Sequence, residues 1–258
     1  MERLVFNFSG IYENEEYEWE KEGEVWNLTE LQGTDGYLDP ETEEYLREKV
    51  SEKRRDFLLP KIRILDNGNY HYMSKLLLET VDQPVFLIVF DHHTDMQPPA
   101  LLPVLSCGSW ILDSVKQLNH ILGVCIIGPP EEAIQTVRET VVSESTVQIS
   151  FISEEALSSH RAAEELETIL RQLNPGNSVY VSFDKDVLSE SVTDTNWDQG
   201  ILEQQQMKEL MAICIKKHKL EGLDLCGEPG RDSTESQRRI SSKINQEIIR
   251  IVQDSLSS

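Results

Sequence analysis

Short apolar runs recur along the chain, separated by stretches with helical periodicity. The runs fall at residues 4–8, 62–65, 85–90, 124–127, 147–151, 179–183 and 223–226. Several are apolar at consecutive positions, VFLIVF at 85–90 most clearly, which is the pattern of strands covered on both faces. Between them lie predicted helices. Asp39-Pro40-Glu41 supplies an N-cap, a proline suited to the first turn and an acidic start for a helix running to about Val50. Further helices are predicted over 109–122, 131–141, 154–173, 203–217 and 233–256, and Asn174-Pro175-Gly176 stops the one before it. Strands alternating with helices of this length imply right-handed crossovers and a mostly parallel sheet with helices on both faces, a three-layer α/β architecture. No internal repeat or low-complexity linker divides the chain, so a single domain over 1–258 is expected.

Composition narrows the function classes. Hydrophobic residues make up 39% and charged residues 27%, ordinary globular usage that excludes fibrous and disordered classes. With 24 Lys and Arg against 46 Asp and Glu, the net charge of −22 repels phosphate backbones and argues against nucleic acid or anionic membranes as partners. Neutral, cationic or metallic partners are expected instead. The strongly apolar run at 85–90 has six residues, far short of the roughly 20 that cross a bilayer. The start, MERLVFNFSGIYENEE, has no basic n-region or long apolar core of a secretory signal. Cys107, Cys125, Cys214 and Cys226 show no CxxC spacing, so a reduced, cytoplasmic setting is expected. One segment stands out: over 12–24, seven Glu alternate with aromatic residues. It reads as a solvated acidic loop or edge hairpin, or as an interaction surface or substrate lid.

In open α/β sheets, ligands bind beyond the carboxyl ends of the strands. Four of the predicted strands end in ligand-type side chains. VFLIVF runs into Asp91-His92-His93-Thr94-Asp95, VYVSF into Asp184-Lys185-Asp186, IRIL into a loop holding Asp66 and His71, and LDLC into Gly227-Glu228. In extended backbone, positions i, i+2 and i+4 face one way. Asp91, His93 and Asp95 therefore converge, with His92 and Thr94 turned aside, and Asp184 and Asp186 do the same. With His71 the set holds four carboxylates and two imidazoles. Four carboxylates in a partly dry cleft repel one another unless cations neutralise them, and two divalent ions balance the formal charge. Oxygen-rich donors with some imidazole and no thiolate suit Mn²⁺ better than a structural zinc.

These segments resemble the ureohydrolases, the arginase and agmatinase superfamily. The marks are GNYH at 68–71, FDHHTD at 90–95 and SFDKD at 182–186, in the family's order, and the likeness spans about 62–228. The resemblance implies an arginase-like fold with a sheet of roughly eight strands. It also implies one Mn²⁺ held by His71, Asp91, Asp95 and Asp184, and a second held by Asp91, His93, Asp184 and Asp186. The implied reaction is hydrolysis of a C–N bond in a small cationic guanidino or amidino compound by a metal-bridging hydroxide, with Asp95 catalytic and trimers or hexamers as the assembly. Three departures bear on the site. Asn69-Tyr70 replace Gly-Asp before His71; Trp197 and Asp198 stand where relatives carry small residues; Cys107-Gly108 replaces the His-Gly pair whose His relays protons. Cys107 is thus a candidate catalytic residue, and Asn196 and Asp198 are candidate substrate contacts. Glu228, one residue displaced from the family's usual carboxylate, is a candidate partner for the substrate's guanidinium. Two other readings stay open: a deacylase-like amide hydrolase, and a metal-binding protein without turnover.

Overall fold

The computed structural model describes residues 2–56, 59–98, 104–141, 145–174 and 176–256. Pro175 of the expected helix stop lies outside the described residues. Among the described residues, eight strands form one sheet: β1 (Arg3–Asn7), β2 (Glu24–Asn27), β3 (Ile62–Ile64), β4 (Val85–Phe90), β5 (Ile121–Ile127), β6 (Gln148–Ile152), β7 (Ser178–Asp184) and β8 (Lys219–Cys226). The order is β2-β1-β3-β8-β7-β4-β5-β6, and every pairing is parallel. From β4 the chain travels through β5 to β6 at the far edge, then returns to insert β7 and β8 between β3 and β4. This reversal opens a crevice at the carboxyl ends of the central strands.

Alternation within β4 explains why the sheet is covered twice. Phe86, Ile88 and Phe90 pack into one apolar layer with Leu166, Met207 and Ile248. Val85, Leu87 and Val89 face the other layer, with Leu46, Leu76 and Trp110. The first layer is closed by α6 (Glu154–Ser158), α7 (Ala162–Leu170), α8 (Gln204–Lys216) and α9 (Glu235–Leu256). The second is closed by α2 (Pro40–Arg55), α3 (Met73–Leu78), α4 (Trp110–Gln117) and α5 (Glu131–Thr140). Among the described residues, no helix is long and apolar enough to cross a membrane.

Several sequence expectations need correction. The helix expected over 109–122 stops at Gln117, because Ile121 and Leu122 already belong to β5. The single helix expected over 154–173 is two, broken where His160 takes φ 57°. The acidic segment keeps Glu13, Glu15, Glu18, Glu22 and Glu24 exposed, as a solvated segment does, but it is neither a plain loop nor an edge hairpin. It winds through two 3₁₀ turns and α1 (Glu18–Lys21), then enters β2, which pairs parallel to β1. Its Tyr12, Tyr17 and Glu20 are buried against the fold.

Candidate metal centre

At the carboxyl end of β4 the chain delivers Asp91 and His93, and from the end of β7 it delivers Asp184 and Asp186. His71 reaches the same point from a 3₁₀ turn after β3 that Asn67 caps through Asn69 N. Ligand atoms of His71, Asp91 and Asp184 all lie within 4.8 Å of one another, as do those of Asp91, His93 and Asp186. Asp91 is common to both groups, so the two clusters share a corner.

Each side chain is held in place. His71 bonds Ser182 Oγ through Nε2 at 2.9 Å, which turns Nδ1 toward Asp91 and Asp95 at 3.2 Å and Asp184 at 3.5 Å. His93 Nδ1 meets Asp186 Oδ2 at 3.0 Å, while its Nε2 meets Asp198 Oδ1 at 3.1 Å. The His93 amide donates to Asp91 Oδ1 at 2.6 Å, the His92 amide to Asp186 Oδ1 at 3.0 Å, and the Asp186 amide to Asp184 Oδ1 at 3.0 Å. Asp95, at φ 45°, accepts from the Trp110 indole N–H at 2.6 Å. His92 turns away, as the alternation predicts, and faces Glu154 and Asp198.

The electrostatics test whether cations fit. Burial, reinforced by the negative charge of Asp91, pushes the Asp95 carboxyl up to about 7. Burial also raises Asp184, and raises Asp186 strongly with help from Asp184 and Asp91. Burial opposes protonation of His71 and His93, yet the surrounding carboxylates outweigh it and raise both imidazoles. In Asp91 burial works upward, but its bonds to His71 and His93 hold the carboxyl low. Four buried carboxylates thus compete for the positive charge of two imidazoles, and the strain appears as displaced protons. Hard oxygen donors with two imidazoles and no thiolate are the donor set for divalent ions such as Mn²⁺, and the residues fit that group.

A cavity of about 100 Å³ opens over the clusters, lined in addition by Gly68, Gln97, Cys107, Gly108 and Trp197. Gln97 continues the every-second-residue spacing of 91, 93 and 95 in the sequence, although Asp95 takes left-handed backbone rather than an extended one. A Cβ at Gly68 would meet Trp197 Cδ1 at 2.6 Å, so the glycine lets the indole lie close over the site. Asn69 Oδ1 fixes that indole by accepting from Nε1 at 2.8 Å. Cys107 lines the wall, where burial and then Asp95 push its thiol up to about 12. A thiol so firmly protonated is a poor carrier of protons at neutral pH.

The candidate substrate contacts divide. Asp198 sits at the rim and bonds His93. Asn196 is spent on the His71 loop, accepting from Gly68 N at 3.1 Å and donating to Asn69 Oδ1 at 3.1 Å. Glu228 does not reach the cavity. It is 1% exposed and lies behind the ligand turn, ion-paired with Lys185 at 2.8 Å. Burial works to raise its carboxyl, but Lys185, Asn245 and Tyr17 outweigh that and hold it low. Asp66 also lies outside the cavity, tying β1 to β3 by accepting from Phe8 N and Ser9 N.

A doubly covered parallel sheet with two overlapping clusters of carboxylate and imidazole side chains at its carboxyl edge, a donor set suited to cations, defines a protein of the α/β class. The sequence model for the arginase family matches residues 70–249. The chain belongs to the arginase family. An uncharacterized protein of Thermotoga maritima is 28% identical over 187 residues, 71% of this chain; the match spans about 65% of that protein's length. Among solved structures, the agmatine ureohydrolase of Thermoplasma volcanium superposes with a TM-score of 0.70 at 14% identity, over 99% of this chain and 91% of that one. The proclavaminate amidino hydrolase of Streptomyces clavuligerus gives 0.71 at 13% identity, over 98% and 92%. The formimidoylglutamase of Bacillus subtilis gives 0.69 at 12% identity, over 99% and 87%. These likenesses show a shared fold.

Proposed function

We propose that the protein holds two divalent cations, manganese by preference, and hydrolyses a C–N bond of a small guanidino or amidino compound. The observation that carries this reading is the pair of ligand clusters sharing Asp91. His71, Asp91, Asp95 and Asp184 are assigned to one ion, and Asp91, His93, Asp184 and Asp186 to the other. When bound, such a pair makes water acidic enough to attack at neutral pH and stabilises negative charge developing in the transition state.

The chain's own residues do the rest. Ser182 and Asp198 fix the imidazoles of His71 and His93 by bonding their outer nitrogens, which sets the ligating faces. Asp95, its Oδ2 anchored by the Trp110 indole, is assigned to accept a proton at its carboxylate. Trp197 closes one wall, and an aromatic side chain there suits a cationic substrate. The small cavity suits a small substrate. The activities by which the structural neighbours are named, an agmatine ureohydrolase and an amidino hydrolase among them, support an amidine-type bond as the target.

The test is product release from Mn²⁺-loaded protein over arginine, agmatine, guanidinobutyrate, guanidinopropionate and formiminoglutamate. Turnover of at least one compound is expected, lost in Asp184→Asn and not restored by added Mn²⁺. Full metal uptake with no turnover on any of them would refute the hydrolase reading in favour of a silent metal binder.

A further inference from the structure

We infer that Lys185 and Glu228 form a buried strut that positions the cation-ligating turn 184–186, making Glu228 a positioning residue for the metal centre. Lys185 sits between two ligand residues, Asp184 and Asp186, and points the opposite way. Its ammonium is fully buried and meets Glu228 Oε1 at 2.8 Å, Ser241 Oγ at 2.6 Å and Asn245 Oδ1 at 2.9 Å. Glu228 in turn accepts from five groups. Tyr12 at 3.1 Å and Asn245 at 2.7 Å join Lys185 at Oε1; Tyr17 and Ser241, both at 2.7 Å, bind Oε2. The strut therefore ties the ligand turn to the end of β8, to α9 and to the acidic N-terminal segment at once.

Backbone geometry makes the contact tight. Gly227 has φ +86°, and a Cβ there would stand 2.3 Å from Asp184 Oδ1 and 2.6 Å from Lys185 N. The turn after β8 is thus pressed directly against the ligand turn, with glycine required by both its conformation and its neighbours. Glu228 follows immediately and clamps the lysine. An ion pair this deeply buried gives little net stability over apolar packing, yet it fixes one geometry because each partner needs the other. Here the geometry fixed is that of the residues flanking Lys185, with Asp184 in one candidate cluster and Asp186 in the other.

The inference rests on the metal-centre reading, and the experiment separates the two. Mn²⁺ affinity and stoichiometry are measured by calorimetry on chelated wild type, Glu228→Gln, Tyr17→Phe and Glu20→Gln, together with the electron paramagnetic resonance signature of the paired ions. Glu228→Gln is expected to bind Mn²⁺ at least about tenfold more weakly, the scale on which outer-shell partners act, and to lose the paired-ion signature. Tyr17→Phe removes one donor and keeps the ion pair; it is expected to weaken binding by a smaller factor, and it carries the test if Glu228→Gln does not fold. Glu20→Gln alters a buried carboxylate that reaches Lys185 and Glu228 only through the shared Asn245, and it is expected to weaken binding less than Tyr17→Phe does. Wild type that takes up no Mn²⁺ overturns the metal-centre reading. Wild type that binds two ions, with folded Glu228→Gln or Tyr17→Phe binding them equally well, overturns the strut alone.

Discussion

Glu20 offers a test of how the buried polar network behaves. It lies in α1, is fully buried, and accepts from Ser242 Oγ at 3.1 Å and Asn245 Nδ2 at 3.3 Å. Burial, followed by the nearby Glu228 charge, pushes its carboxyl from 4.5 up to about 7. Between those values the folded chain keeps a proton that the unfolded chain has lost, so this group makes stability fall as pH rises from about 4.5 to about 7. The displacement corresponds to roughly 3 kcal/mol once pH exceeds 7. Glu20→Gln imitates the protonated acid at every pH. The variant and wild type should be equally stable near pH 4, and the variant should gain on the order of 3 kcal/mol over wild type by pH 8. Urea unfolding of both chelated proteins at pH 4, 6 and 8 measures this, and taking the difference removes titrations common to the two. A difference that does not change with pH, or one favouring wild type at pH 8, would refute the reasoning.

Other outcomes follow from named contacts. Gly227→Ala forces a Cβ into Asp184 and Lys185 at positive φ, and thermal melts should show a loss of about 2 kcal/mol or more. Arg63 bonds Asp224 at 2.9 Å beside Tyr180, with both members of the pair buried, so Arg63→Met should destabilise by about 3–5 kcal/mol in denaturant titrations. Arg63→Met combined with Asp224→Leu should recover most of that loss; if the double variant is no better than the single one, the unpaired carboxylate is not the cause. Because the Cys107 thiol stays protonated, Cys107→Ser should keep kcat within about threefold between pH 7 and 9, well inside the 10²–10⁴ expected on removing a general acid or base. A larger loss would make the thiol a proton carrier.

The parts legible in the sequence are those whose pattern comes from burial on both sides or from strict alternation. VFLIVF matches β4 residue for residue because each of its faces is covered. The i, i+2 spacing of Asp91 and His93, and of Asp184 and Asp186, brings all four side chains to the two clusters that share Asp91, with Asp184 in one and Asp186 in the other, although a bend at 92–93 and a 3₁₀ turn at 185–187 stand where extended backbone is expected. β2 carries no such pattern: Glu24, Val25 and Asn27 are exposed at the sheet edge, and its alignment comes from β1. The break before α7 depends on one residue, His160, in left-handed backbone, which local periodicity does not encode. For Glu228, the position after a strand and the likeness to the family's usual carboxylate suggest a substrate contact. Its partners Tyr12 and Tyr17 are 216 and 211 residues away in the chain, so only the folded structure shows that the carboxylate is consumed inside the protein.

The central claim, that two clusters joined at Asp91 hold a pair of cations, is tested most directly by counting ions. Chelated protein is titrated with Mn²⁺ and the bound metal is measured after dialysis, for wild type and for Asp91→Asn. Two ions per chain are expected in wild type, with Asp91→Asn retaining neither, since that side chain belongs to both clusters. Wild type holding one ion or none, or Asp91→Asn still holding two, would contradict it.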